Sequence, residues 1–164
     1  MNLDFERKEE INYSIIIPHK NSTVLLERCL KSIPCRKDVQ VIVVDDNSEN
    51  QEELNAVVGG FSQVELILTQ GGGAGHARNE GLKYIRGKWV LFADADDFYN
   101  KNAFSILDNY INSDNDVIYF FANSLDVNTL LPTPREKDLQ NIYEKYDSDN
   151  IRSCLLYTSP SPRD

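Results

Sequence analysis

Five short apolar runs punctuate the chain: YSIII at 13–17, VQVIVV at 39–44, VELIL at 64–68, KWVLFA at 88–93 and DVIYFFA at 116–122. All are rich in Val, Ile and aromatic residues and show little polar alternation. Strands buried on both faces of a parallel sheet read this way. Segments with a helical period lie between them. In STVLLERCLKSI, Leu26, Leu30 and Ile33 share one face, and Asn21 or Ser22 stands where a cap is needed. SENQEELNAVVGG opens with Ser48 and Gln51 at capping-box spacing and closes at Gly59 and Gly60. GHARNEGLKYIRG extends the plan as far as Gly87, and AFSILDNYI aligns Phe104, Leu107 and Ile111.

Strands and helices therefore alternate from 13 to 122, which predicts an α/β fold with right-handed crossovers and an open, doubly wound, mostly parallel sheet. Ligands of such sheets bind beyond the carboxyl ends of the strands. Polar clusters occupy those ends here: PHKN after the first strand, DDNS after the second, QGGGAGHARN after the third and DADD after the fourth.

Residues 1–11 read as a charged leader and 12–122 as the core, with 123–152 a partial continuation of the domain. The Ser- and Pro-rich stretch 153–164 fits no element and is expected to be a non-native or disordered tail. The leader lacks the apolar segment of a secretory signal, and no run approaches the ~20 apolar residues of a membrane span. A cytoplasmic chain is expected, with room in a longer form for peripheral association at the inner face of the membrane.

Charge narrows the partners. With 17 basic against 26 acidic residues and a net charge of −9, the chain is a poor candidate for nucleic acid, whose phosphates call for clustered Lys and Arg. A phosphorylated small molecule is not excluded, because a divalent cation can stand between carboxylates and a diphosphate. Cys29, Cys35 and Cys154 have neither CxxC nor Cys/His spacing and read as plain thiols.

The glycines after the third strand do not complete a dinucleotide fingerprint, since His76 stands where the last glycine would be. A phosphate-binding Walker loop fails as well, because Trp89 follows Gly87-Lys88 and no glycine lies five residues earlier. The stretch is either a flexible loop or a device that lets backbone and the helix bearing Arg78 approach an anion. Asp45 and Asp46 could serve the start of the next helix, although that accounts for one acid and not two. Asp94, Asp96 and Asp97 raise the same question more sharply. Carboxylates ~4 Å apart repel by several kcal/mol at an effective dielectric of ~20. Alternating positions 94 and 96 at a strand end could turn two of them toward one Mg²⁺ or Mn²⁺.

SIIIPHKN, VIVVDDNS, GAGHARNEGL and GKWVLFADADDFY, in this order, resemble the nucleotide-binding half of inverting family 2 glycosyltransferases over roughly residues 12–122. The resemblance implies a Rossmann-like A-type glycosyltransferase fold, here C-terminally truncated. It also implies a UDP-sugar donor and an acceptor hydroxyl on a polysaccharide or lipid-linked glycan. Pro18 and Asn21 would line the nucleoside pocket. Asp46 would accept a hydrogen bond from the uracil ring, supported by Asp45, and Arg78 would meet base or diphosphate. Asp94 would touch the ribose or the metal's surroundings, Asp96 would bind a Mg²⁺ or Mn²⁺ bridging the diphosphate, and Asp97 would stand beside the site or face the acceptor. His19 and His76 replace residues that vary in the family. Its general base lies well beyond the DxD, and no match for it is found; Glu144 and Asp147 stay unassigned. The competing readings are a phosphoryl-receiver domain, with Asp94 or Asp96 as phosphoacceptor, and a nucleotide-sugar binder without catalysis.

Overall fold

A computed structural model describes residues 10–118 together with Asp126 and Thr129. The chain divides into two compact units, Met1–Asp114 and Asn115–Asp164. In the second, the Asp126 carboxylate accepts hydrogen bonds from the backbone N–H and the hydroxyl of Thr129 at 2.8 and 2.9 Å. Every element below belongs to the first.

Four of the five predicted strands form: β1 (Tyr13–His19), β2 (Val39–Asp45), β3 (Val64–Leu68) and β4 (Trp89–Phe92). Asp116 to Ile118 of the fifth run are not in a strand, and 119–122 lie outside the described residues. The sheet is wholly parallel with order β3-β2-β1-β4. Its helices are α1 (Thr23–Ser32), α2 (Gln51–Gly59), α3 (Gly73–Gly81) and α4 (Ala103–Leu107). The odd-numbered residues Ile15, Ile17, Val41 and Val43 share a buried cluster with Leu26 and Leu30 of α1, Leu54 of α2 and Phe104 of α4. Ile16, Ile42 and Val44 face the other way and meet Ala77 of α3. Both faces are covered, as continuous rather than alternating apolar runs require. Each such side chain taken from water contributes roughly 1.5–3 kcal/mol. No helix among the described residues is long and apolar enough to cross a membrane.

The strand order reverses between β1 and β4, and Pro18 marks the place. Ile16 C=O accepts from Ala93 N–H on the β4 side, while His19 C=O accepts from Asp46 N–H on the β2 side. Pro18 shares the Ile16 side, and pairing with β4 stops at Ile16 and Phe92. A proline, which has no N–H to offer, therefore costs no ladder bond where the two strands part.

Three helix boundaries differ from the sequence expectation. Neither Asn21 nor Ser22 caps α1 by its side chain: the Ser22 hydroxyl turns back to Lys20 C=O, and Asn21 accepts from Glu49 N–H in the next loop. Helix α2 begins later than the Ser48 box, with Asn50 as the cap, accepting from Glu53 N–H at 3.1 Å. Helix α3 starts at Gly73 and ends at Gly81, followed by a 3-10 turn at Leu82–Tyr84, rather than running to Gly87. A side chain at Gly81 would sit 2.6 Å from Ile16 Cγ2, so the helix lies hard against the sheet there. Beyond it the backbone serves a buried polar pair instead of helix bonds. Ser14 and Gln40 bond each other at 2.6 Å, Arg86 N–H donates to both, and Gln40 donates to Tyr84 C=O.

Candidate functional site

The acids given roles in the sequence lie at or just past the ends of β2 and β4, and the two strand ends use them differently. Asp45 is the last residue of β2 and is 1% exposed. Its carboxylate accepts from His19 Nδ1 at 2.9 Å, Ser48 N–H at 2.9 Å, Gln51 Nε2 at 2.8 Å and the Ser48 hydroxyl. Burial alone would raise its pKa; the hydrogen bonds from Ser48, Gln51 and His19 outweigh it and hold the group below the usual carboxylate range. His19 is equally committed. Its Nε2 accepts from Ser22 N–H at 3.1 Å, which leaves the ring proton on Nδ1, facing Asp45. This network ties the β1–α1 loop to the β2–α2 loop. Asn21 joins it through its N–H to the Ser48 hydroxyl, at a positive φ of 53°.

Asp46 is also buried, and both its oxygens accept from Gly73 N–H, at 3.1 and 3.0 Å; Lys20 Nζ stands 3.8 Å away. The bond fixes the entrance to α3, where Gly71, Gly72 and Gly73 all have positive φ. A loop of this shape brings main-chain N–H groups close to whatever lies beside Asp46.

After β4 the chain makes a turn. Asp97 N–H donates to Asp94 C=O at 2.9 Å, and the Asp97 carboxylate accepts from Asp94 N–H at 3.1 Å. Ala93 and Ala95 point inward, while Asp94, Asp96 and Asp97 are exposed. Asp94 pairs with the Arg78 guanidinium from α3. The Asp96 side chain has no hydrogen-bond partner among the described residues; only its C=O is used, by Arg28 of α1. Two guanidiniums thus flank the acidic turn and offset its self-repulsion.

The structure brings Arg78 and Asp94 together, links Asp46 to the glycine loop, and sets Asp45 beneath that rim as a holding group. Pro18 is buried at the parting of β1 and β4. His19 is sealed inside the network, and His76 is exposed on α3, 4.0 Å from Glu80. Glu144 and Asp147 lie outside the described residues. A shallow cavity of about 240 Å³ borders Asn21, but Glu49 and Glu53 in its wall suit no phosphate. Sequence reasoning missed the roles of Ser48, Gln51 and Arg28; for Ser48 and Gln51 the usable signal was their spacing from Asp45. Cys29 is buried and its thiol is pushed up to about 12 by burial and then by nearby Asp97, consistent with an inert thiol.

Among the described residues no group of three or more His, Cys, Asp or Glu side chains converges to hold a metal. Two exposed carboxylates, Asp94 and Asp96, nevertheless fit a Mg²⁺ or Mn²⁺ that takes its remaining ligands from phosphate and water, the usual habit of Mg²⁺.

Comparisons with known proteins identify the family. The family model described as glycosyl transferase family 2 matches residues 14–158. A poly(ribitol-phosphate) beta-glucosyltransferase of Bacillus spizizenii is 34% identical over 98 residues, covering 55% of this chain and 16% of that protein. The poly(ribitol-phosphate) beta-N-acetylglucosaminyltransferase TarS of Staphylococcus aureus is 38% identical over 106 residues, covering 57% and 18%. The crystal structure of S. aureus TarS 1–349 superposes with a TM-score of 0.54 at 29% identity, over 61% of this chain and 32% of that one. The chain thus spans under a fifth of the length of these two enzymes.

Proposed function

The chain belongs to glycosyl transferase family 2, and on that premise we propose that the rim of Asn21, Asp46, Arg78 and Asp94, backed by the buried Pro18 and Asp45, holds a nucleoside-diphosphate sugar, with UDP as nucleotide. Asp96 and Asp94 hold a Mg²⁺ or Mn²⁺ against the diphosphate. One observation carries the reading: the Asp96 carboxylate, in the turn after β4, is exposed and unpartnered among the described residues while its main chain is held. A ligand-free acid kept in place by its backbone is what a cation site needs before the cation arrives.

The roles follow from the contacts. Asp45 keeps the β1–α1 and β2–α2 loops in register, which holds Asn21 and Asp46 in place. Asp46 holds Gly73 N–H and has lone pairs left for the imide of a uracil ring. Arg78 exchanges its Asp94 partner for diphosphate oxygens, which releases Asp94 toward ribose or metal. When bound, the cation stabilises negative charge developing on the leaving diphosphate. The reaction is displacement at the anomeric carbon: the acceptor hydroxyl oxygen forms the new bond as the bond to the diphosphate breaks, with inversion. A general base takes the hydroxyl proton. An acceptor of the poly(ribitol phosphate) type is supported by the names of the relatives; other polysaccharides and lipid-linked glycans are the alternatives.

Calorimetric titration with UDP, with and without Mn²⁺, tests the proposal. Wild type should bind UDP more tightly with Mn²⁺ than without it, and Asp96→Ala should lose that gain. Absence of heat in wild type, or equal binding in the variant, overturns it. The family match decides against the phosphoryl-receiver alternative.

A further inference from the structure

We infer that Arg28 is a positioning residue for the acidic turn, setting the Asp96 carboxylate for the cation without touching it. The inference rests on the metal reading above. Arg28 lies on α1, remote in sequence from the turn, and its Nη2 donates to the Asp96 C=O. Its guanidinium stacks on the Phe98 ring, with Cζ 5.3 Å from the centroid. One helical turn further on, the Ser32 hydroxyl accepts from Tyr99 N–H at 2.9 Å and donates to Cys29 C=O at 2.6 Å. Tyr99 in turn packs on Phe104, centroid to centroid 5.4 Å. Helix α1 therefore grips the main chain at Asp96 and at Tyr99, on either side of Phe98.

The burial of Arg28 points the same way. Its Nε is buried with no hydrogen-bond partner, a desolvation cost that an arginine lying free on the helix surface would avoid. The acids themselves supply only one internal fastening, the reciprocal bonds between Asp94 and Asp97. Without the α1 grip the residue between them, Asp96, would have neither side chain nor main chain held. A metal site assembled from one or two carboxylates is sensitive to such freedom, because ordering the loop would then be charged against binding.

The guanidinium also carries positive charge, which by itself opposes a cation. The informative variant therefore keeps the charge and removes the planar fork: Arg28→Lys. Mn²⁺ affinity, read calorimetrically in the presence of UDP and by the spin resonance of free Mn²⁺, should fall about tenfold, while thermal stability and metal-free UDP binding stay near wild type. Ser32→Ala removes the second grip and should weaken Mn²⁺ in the same direction by a smaller factor, which keeps the test decisive if Arg28→Lys folds poorly. Asp96→Ala is run beside them. Wild-type Mn²⁺ affinity in both grip variants, with loss in Asp96→Ala, overturns this inference alone. Unchanged Mn²⁺ affinity in Asp96→Ala overturns the metal site itself. Equal weakening of Mn²⁺ and of metal-free UDP would show that Arg28 merely supports the fold.

Discussion

The ends of β2 and β4 carry the same residue type at equivalent places in the fold, yet they solve opposite problems. At β2 the acids are buried and their oxygens are occupied by His19, Ser48, Gln51 and Gly73. At β4 the acids are exposed, the backbone is fastened and one carboxylate is left over. A buried charge is tolerated where it is well paired, so Asp45 holds loops with little freedom to change partners, while Asp46, bonded to one N–H, keeps lone pairs to spare. The second set sits in water, where being unpaired costs little, and so can wait for a ligand. Strand-end position alone does not make an acid a ligand group; spare lone pairs do.

Substitutions separate the two ends by size of effect. Asp45→Ala strands the Ser48, Gln51 and His19 donors in a buried space and should cost about 3–5 kcal/mol, read by urea unfolding. A value under about 1 kcal/mol would erase the contrast.

Acid comes next. Asp45 and Asp38 both have folded-state pKa values below their unfolded ones, so their stabilisation is complete above about pH 4 and is lost as pH falls through the folded values. The Asp38 carboxyl is held down at about 2 chiefly by hydrogen bonds from Arg36, which outweigh burial. Because that pair is partly exposed, its share is about 1–2 kcal/mol between pH 4 and 2. Unfolding midpoints followed over this range should slope downward with acid, and the slope should flatten in Asp45→Ala.

Asp46→Ala frees Gly73 N–H at a partly accessible site and should cost about 1 kcal/mol, with faster hydrogen exchange at Gly73 as the direct readout. Asp96→Ala should change stability by less than about 0.5 kcal/mol while abolishing the Mn²⁺-dependent heat of UDP binding. Stability loss at Asp96 as large as that at Asp45 would mean that the two ends are alike after all.

The sheet was legible because burial on both faces writes itself into consecutive Val and Ile, and the four strands were found to within about two residues. The faces of α1 and α4 were legible for the same reason: Leu26, Leu30, Phe104 and Leu107 are buried where the period put them. The errors share a cause. Ser48 has the local spacing of a cap, but Asp45, brought near by the turn after β2, takes its hydroxyl and N–H. The run after Gly81 has helical period, but Ser14 and Gln40 on other strands claim its backbone. At the site, the presence of the acids was readable and their division of labour was not. It depends on His19 and on Arg28, which are 26 and 68 residues away from the groups they touch.

The three glycines at the entrance to α3 have φ of 98°, 142° and 84°. Stereochemically they are a short stretch of mirror-image backbone set into an L-chain, and glycine is the one coded residue identical to its own reflection. Around Gly73 there is nothing within 4 Å of an added Cβ, and around Gly71 only the Asn47 Cβ at 4.0 Å. What guards these two positions is handedness and not space, so asparagine, the larger side chain, should be accepted there ahead of alanine.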